Sequence, residues 1–108
     1  MKFTIEEFLS QLPLPANEKW KEGVWDVEPF GEWGARLVFF APRGKDYQTD
    51  HDEDEFYFIA RGSGKIVIGD ETFDFTVGDA FHVEANTPHH FEEFTEDFAT
   101  WAVFFDPS

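Results

Sequence analysis

The sequence predicts an all-β fold, a small antiparallel jelly-roll β-barrel with a short N-terminal helix. From residue 20 onward, apolar and polar residues alternate with a period of two, as in a strand that buries one face. Short runs of this kind recur roughly every 8 to 12 residues with glycine turns between them, which is typical of sandwiches and barrels. We therefore expect one domain over residues 1–108, with a helical segment at 1–15 and the barrel at 20–105.

A capping box indicates the N-terminal helix. Thr4-Ile-Glu-Glu7 places a hydroxyl and a carboxylate three residues apart, so that each can satisfy a backbone N–H of the first turn. Phe8, Leu9 and Leu12 then fall on one helical face, which we expect to pack over the barrel. Pro13 ends the helix because it lacks an N–H and clashes with the preceding turn.

Turns that contain glycine divide the rest of the chain into short strands. Two pairs of strands are predicted to form hairpins because only a short turn separates their members. The hairpins comprise residues 24–29 with 36–41 and residues 65–69 with 72–76, and further strands are expected at 56–60, 80–84 and 100–105.

The charge and composition of the chain exclude several classes of partner. It has 23 acidic and 8 basic residues and a net charge of −15, so it repels phosphate backbones and anionic lipid head groups. We expect it to bind neither nucleic acid nor a membrane surface. It has no cysteine, so neither a disulfide nor a thiolate metal site is possible. The N-terminus carries acids where a signal peptide would be apolar, and a cytoplasmic location is expected.

Aromatic residues are unusually frequent in this chain. Its 15 Phe and 4 Trp exceed what so small a core is expected to hold. Large exposed apolar patches usually mark contact sites, so we expect a homodimer. A purely structural scaffold that dimerises through aromatic strands would explain these residues, but it would not explain the two motifs described next.

Two short blocks contain the residues with metal-binding chemistry. His51-Asp-Glu-Asp-Glu55 and Asn86-Thr-Pro-His89 lie about one β-meander apart, so two imidazoles and one carboxylate could converge inside the barrel. Such a set suits a divalent transition metal (Fe, Mn, Ni, Co or Zn) and leaves positions open for water or substrate. The alternative is a cluster of the same three side chains that holds no metal and is joined by hydrogen bonds.

The two blocks lie in motifs that resemble those of the cupin superfamily. The family pattern G-x5-H-x-H-x3/4-E-x6-G matches the spacing from His51 through Glu55 to Gly62. The second pattern, G-x5-P-x-G-x2-H-x3-N, matches the spacing from Gly78 to His89. The resemblance implies a jelly-roll barrel and a metal ion held by His51, Glu55 and His89.

The chain departs from the family pattern at several positions. Thr49 stands where the first His of the H-x-H pair is usual, Glu84 replaces the Pro, and Asn86 replaces the Gly. Asn adopts the left-handed backbone conformation more readily than most residues, so the turn at Asn86 can be retained. With three ligands instead of four, neighbouring side chains gain access to the ion, and Gln48, Thr49 and Glu84 are candidates for the pocket rim.

Tyr57 is the candidate for a catalytic group. If Glu55 points inward, strand alternation directs Tyr57 inward as well and places its hydroxyl beside the metal site. The hydroxyl could then donate a proton or bind a substrate. The alternative is a core tyrosine whose hydroxyl bonds to a backbone group.

These features together predict a small metal-binding cupin with a small-molecule ligand. As an enzyme it would be a non-haem metal-dependent dioxygenase, an isomerase or a lyase. The alternative is a non-catalytic small-molecule binding or sensor cupin, with or without a metal. The cupin barrel hosts many unrelated reactions, so the fold does not identify the substrate.

Overall fold

The structure is a computed structural model that describes residues 1–48 and 51–106. Helix α1 precedes eight strands in the described part of the chain. The elements are α1 Ile5–Leu9, β1 Asp26–Glu32, β2 Ala35–Phe40, β3 Asp54–Arg61, β4 Ser63–Ile68, β5 Glu71–Thr76, β6 Ala80–Val83, β7 His89–Glu92 and β8 Ala99–Phe105.

The strands form two antiparallel sheets that pack face to face. One sheet has the order β1-β2-β8-β3-β6 and the other has the order β5-β4-β7. The core between them contains residues of both sheets, among them Tyr57 and Ile59 from β3, Ile66 from β4 and Phe91 from β7. The all-β jelly roll is therefore confirmed. The two sheets are not joined by hydrogen bonds into a closed cylinder among the described residues, so the barrel is an open one.

Both expected hairpins are present; the turn of the first is narrower than the sequence indicated, and that of the second has the expected length but lies one residue earlier. Strands β1 and β2 pair up to Glu32 and Ala35, which leaves a two-residue turn. In that turn Trp33 and Gly34 have φ angles of 57° and 74°, and two positive φ angles match the twist of the flanking strands. Strands β4 and β5 likewise pair up to Ile68 and Glu71.

Helix α1 covers part of the outer surface of the five-stranded sheet. The Thr4 hydroxyl accepts a hydrogen bond from the backbone N–H of Glu7 at 3.2 Å, as the capping box predicts. Phe8 is buried against Phe39 and Trp101, with ring centroids 6.2 and 5.9 Å away. The expected helical segment 1–15 was too long, since the helix ends at Leu9.

Strand β3 alternates between the core and the outer surface. Glu55, Tyr57 and Ile59 are buried on its inner face, whereas Phe56 and Phe58 remain 37% and 46% exposed on its outer face. Residues paired across β3 and β8 lie on the same face of the sheet. Val103 therefore lies on the outer face opposite Phe56, and Ala102 lies on the inner face opposite Tyr57. The inner face of β3 therefore supplies the functional residues.

Candidate metal centre

Three potential ligands converge between the two sheets. One ligand atom from each of His51, Glu55 and His89 lies within 4.8 Å of the others. Glu55 extends from the inner face of β3, His89 begins β7 in the opposite sheet, and His51 lies in the loop before β3. The side chains of Glu55 and His89 are 1% and 0% exposed and that of His51 is 24% exposed, so the group opens to solvent on the His51 side.

A backbone contact joins the two loops that carry the histidines. The N–H of Asn86 donates to the carbonyl of His51 at 2.6 Å. Asn86 has a φ angle of 63°, which confirms that it adopts the left-handed conformation expected where the family has Gly. The turn that replaces the family sequence therefore still positions both histidines.

Each imidazole is oriented by its other nitrogen. His51 Nδ1 lies 3.1 Å from the carbonyl of Glu53, and His89 Nδ1 lies 2.8 Å from the carbonyl of Thr87. A carbonyl only accepts hydrogen bonds, so both Nδ1 atoms carry a proton, and in its neutral form each ring would present a lone pair at Nε2. A backbone carbonyl bound to the second nitrogen is the usual support for a metal-ligating histidine.

The two imidazole nitrogens and the carboxylate would be stabilised by a positive charge placed between them. His51 Nε2 and His89 Nε2 each lie 3.1 Å from Glu55 Oε1. The His89 contact lacks hydrogen-bond alignment, and Glu55 Oε2 is also buried without a partner among the described residues. Buried polar atoms without partners are costly. A divalent cation among these atoms would satisfy them, so the donor set fits a metal ion.

A proton on His89 is the competing way to supply that charge. Burial alone lowers the pKa of His89, but the neighbouring carboxylate of Glu55 and the carbonyl of Thr87 outweigh it and raise the pKa above its usual value. A proton on His89 Nε2 and a metal ion bound there would both be stabilised by the negative charge of Glu55. The geometry is therefore suited to a cation of either kind at Nε2.

A hydrogen-bond network that the sequence analysis did not foresee surrounds Tyr57. Its hydroxyl donates to Gln48 Oε1 at 3.0 Å. The Gln48 amide is fixed in turn because its Nε2 donates to Asp46. Asp46 is only 6% exposed and also accepts from the backbone N–H groups of Gln48 and Phe91, at 2.9 and 2.8 Å. Gln48 thus belongs to the wall of the site, and Tyr57 directs its proton away from the three ligands.

Burial governs the acidity of this network. It raises the pKa of Tyr57 well above its usual range, with the negative charges of Glu55 and Asp46 acting in the same direction. It also raises the pKa of Asp46, against three hydrogen bonds that lower it. The sequence contained no signal for Asp46, because it opens a run of acids and its partner Phe91 lies 45 residues away.

Among the described residues, neither the remaining rim candidate nor the other two histidines belong to the three-residue group. Glu84 is exposed and is not part of the three-residue group. Thr49 lies outside the described residues. His90 is half-exposed and lies 3.1 Å from Glu92, on the opposite face of β7 from His89. His82 is exposed beside the Phe56 ring, with centroids 4.9 Å apart.

A small cavity adjoins Glu55 and Tyr57. It has a volume of about 80 Å³, and its apolar walls include Trp20, Phe40 and Phe104. The Phe104 ring also packs on His51, with centroids 4.8 Å apart. A larger depression of about 480 Å³, lined by residues 42–44 and 94–96, contains none of the three ligands. We therefore regard the small cavity as the space available to a ligand at this centre.

The fold and the motifs identify the class of protein. A family model described as "Cupin domain" matches residues 36–105, and the chain belongs to that family. Solved cupin structures share the fold: KdgF from Halomonas sp. superposes with a TM-score of 0.66 at 16% identity, covering 77% of this chain and 78% of that one. A cupin 2 conserved barrel domain protein from Salinispora arenicola has a TM-score of 0.65 at 17% identity, with 75% and 74% covered.

Two curated proteins match parts of the sequence. An uncharacterised protein of Streptomyces coelicolor is 36% identical over 62 residues, which cover 57% of this chain and 59% of that protein. Acireductone dioxygenase 1 of Pectobacterium atrosepticum is 44% identical over 63 residues, covering 53% of this chain and 36% of the enzyme. The chain thus spans less than two thirds of either relative. Among the described residues, no helix is both long and apolar enough to cross a bilayer.

Proposed function

We propose that this protein is a metal-dependent cupin enzyme that binds a first-row divalent ion through His51, Glu55 and His89 and acts on a small organic molecule. The observation that carries the proposal is the position of two Nε2 atoms, each 3.1 Å from the same oxygen of one buried carboxylate, with each ring held by a carbonyl at Nδ1. Two neutral imidazoles and one carboxylate suit Fe, Mn, Co, Ni or Zn.

A dioxygenase is the reaction class we favour over an isomerase or a lyase. The similarity to acireductone dioxygenase 1 supports it, although that match covers only part of either protein. A redox-active ion with three protein ligands could supply Lewis acidity and O2 chemistry at its open positions. The chain itself contributes aromatic walls that exclude water and a buried network from Asp46 through Gln48 to Tyr57 that holds one wall in place.

Tyr57 remains our candidate for the group that meets the substrate. It lines the cavity beside Glu55, and its ring centroid lies 6.1 Å from that of His89. Its hydroxyl donates to Gln48 in the structure, so a direct role requires the proton to be redirected toward the ligand. Because this hydrogen bond already uses the Tyr57 proton, it favours the second candidate function, a sensor or binding cupin that does no chemistry.

Metal analysis of purified protein tests the centre. We expect about one ion per chain in the wild type and loss of most of it in His51→Ala and His89→Ala, because each substitution removes a ligand. His82→Ala and His90→Ala are matched controls, since both histidines lie outside the three-residue group. Equal metal content in all five proteins would overturn the assignment.

Oxygen uptake separates the two candidate functions. The Fe(II)-loaded protein is screened against hydroxyketones, enediols, catechols, thiols and small acids in an oxygen electrode. Consumption that depends on both Fe(II) and one of these compounds supports the dioxygenase. Compounds that bind to the loaded protein without consuming oxygen or changing chemically support the sensor.

We also propose that two copies associate through the uncovered part of the outer sheet surface. The outer patch consists of the apolar side chains of Leu37, Phe56, Phe58, Val103 and Phe105, with Asp54 at its edge. Two chains of charge −15 would therefore meet there through a mainly uncharged surface. Light scattering should give the mass of two chains.

The cytoplasmic location stays a prediction, which cell fractionation tests.

A further inference from the structure

The cavity beside the metal centre contains a second carboxyl group that the proposed function does not use. Asp26 is the first residue of β1, pairs with Phe40 on β2, and lines the cavity together with it. In the sheet order, β2 and β8 separate β1 from β3, so Asp26 and Glu55 approach the cavity from different sides. A ligand in this cavity would meet a carboxyl group at each side.

The charged groups that line the cavity are acidic. Among the described residues that line it, Asp26 and Glu55 are the ionisable acids, Gln48 supplies an amide, and none is Lys or Arg. A divalent ion at the centre would offset both carboxylates and leave a sum near zero. An anionic ligand would then add uncompensated negative charge between aromatic walls, where such charge is costly.

The carboxyl group of Asp26 can accept a hydrogen bond from a ligand. Within the described parts of the chain, its carboxyl group makes neither a hydrogen bond nor an ion pair. Burial raises its pKa, and the more distant positive charge of Lys19 opposes that shift. A hydroxyl donated by a ligand would stabilise this carboxylate, since a hydrogen bond to the charged form favours it.

The size of the cavity limits the ligand further. A cavity of about 150 Å³ holds benzene in other proteins, and this one measures about 80 Å³. It therefore encloses only a few non-hydrogen atoms, such as a carbonyl and an adjacent hydroxymethyl group.

We propose that Asp26 determines specificity at this site by accepting a hydrogen bond from a small, uncharged hydroxyl-bearing ligand and by disfavouring carboxylate ligands. The inference rests on the proposed metal centre, because a divalent ion there would complete the charge balance and could supply a Lewis acid for the ligand's carbonyl. It extends the proposal by naming the substrate class, small neutral hydroxycarbonyl compounds, and the residue that selects it.

Hydroxyacetone and pyruvate are suitable probes, since both are three-carbon carbonyl compounds and one carries a hydroxymethyl group where the other carries a carboxylate. Each is titrated into Co(II)-loaded protein, and binding is followed by the visible absorption of the ion. We expect hydroxyacetone to bind the wild type at least about tenfold more tightly than pyruvate, the scale of one hydrogen bond to a charged group. Asp26→Asn should reduce that ratio by a similar factor, mainly through tighter pyruvate binding.

Asp74→Asn is the matched control, because Asp74 is exposed on β5. It should leave the ratio unchanged. Asp26→Ser provides a second variant, and unchanged Co(II) uptake shows that a variant is folded. Equal binding of the two probes to the wild type, or an unchanged ratio in both Asp26 variants, would overturn the ligand class while leaving the metal centre intact. Failure of the wild type to take up Co(II) would overturn both proposals.

Discussion

Strand β3 has polar side chains on its buried inner face and apolar side chains on its exposed outer face. On the inner face, Glu55 and Tyr57 place a carboxylate and a hydroxyl in the core. On the outer face, Phe56 and Phe58 leave aromatic rings about two-fifths exposed. Acids are seldom fully buried, and large apolar patches are seldom left in water. Each face therefore reverses the usual arrangement.

The difference between the faces lies in where their partners come from. The inner polar groups find partners within the chain, through Gln48, Asp46 and the two histidines, and among the described residues they leave Glu55 Oε2 and His89 Nε2 without a hydrogen-bond partner. The outer rings stack on each other and on Phe105 but remain partly exposed. The inner face is thus the proposed site of an ion and its ligand, and the outer face is the proposed site of a second copy of the chain. Substitutions on each face should therefore affect different measurements.

The largest expected effect comes from Glu55→Gln, which keeps the side-chain volume and removes the charge. Metal affinity should fall by at least about 100-fold, because supporting residues around metal ligands already contribute up to that much and a ligand contributes more. Competition with a chromophoric chelator measures it. Glu71→Gln, at the exposed start of β5, is the control. Wild-type affinity in Glu55→Gln would show that this carboxylate is not a ligand.

The next effect concerns the support of the inner face. Asp46→Asn replaces an oxygen that accepts hydrogen bonds with an amide nitrogen, so at least one of the buried donors from Gln48 and Phe91 loses its acceptor. The free energy of unfolding should fall by about 1–3 kcal/mol, the usual cost of one unsatisfied buried group. Urea denaturation measures it. Asp74→Asn should change stability little because Asp74 is exposed, and an equally small change in Asp46→Asn would contradict the network.

On the outer face, the double substitution Phe56→Ser and Phe58→Ser should act on association and not on the metal. Both rings are partly exposed, so the cost to monomer stability should be about 1 kcal/mol or less for each ring. The mass from light scattering should fall from two chains to one while the metal content stays unchanged. A wild type that is already monomeric, or a double variant that still dimerises, would place the interface elsewhere or remove it.

Much of this comparison could be predicted from the sequence because it depends on local periodicity. The alternation along residues 55–59 predicts both faces of β3, and the spacing of the two motifs predicts which histidines meet Glu55. Asp46 and Asp26 could not be predicted in the same way. Their roles depend on contacts across the sheets, and in the sequence each is one acid among 23.

The smallest expected effect is a pH dependence that distinguishes buried from exposed acids. Burial raises the pKa of Asp26 in the folded state, so ionising it is less favourable when the protein is folded than when it is unfolded. The wild type should therefore lose stability relative to Asp26→Asn as the pH rises from below the unfolded pKa through the raised folded one. Urea denaturation of the metal-free proteins across that range measures the difference. Asp74→Asn should show no such trend, since Asp74 is exposed, and parallel curves for wild type and Asp26→Asn would show that the Asp26 carboxyl is effectively solvated.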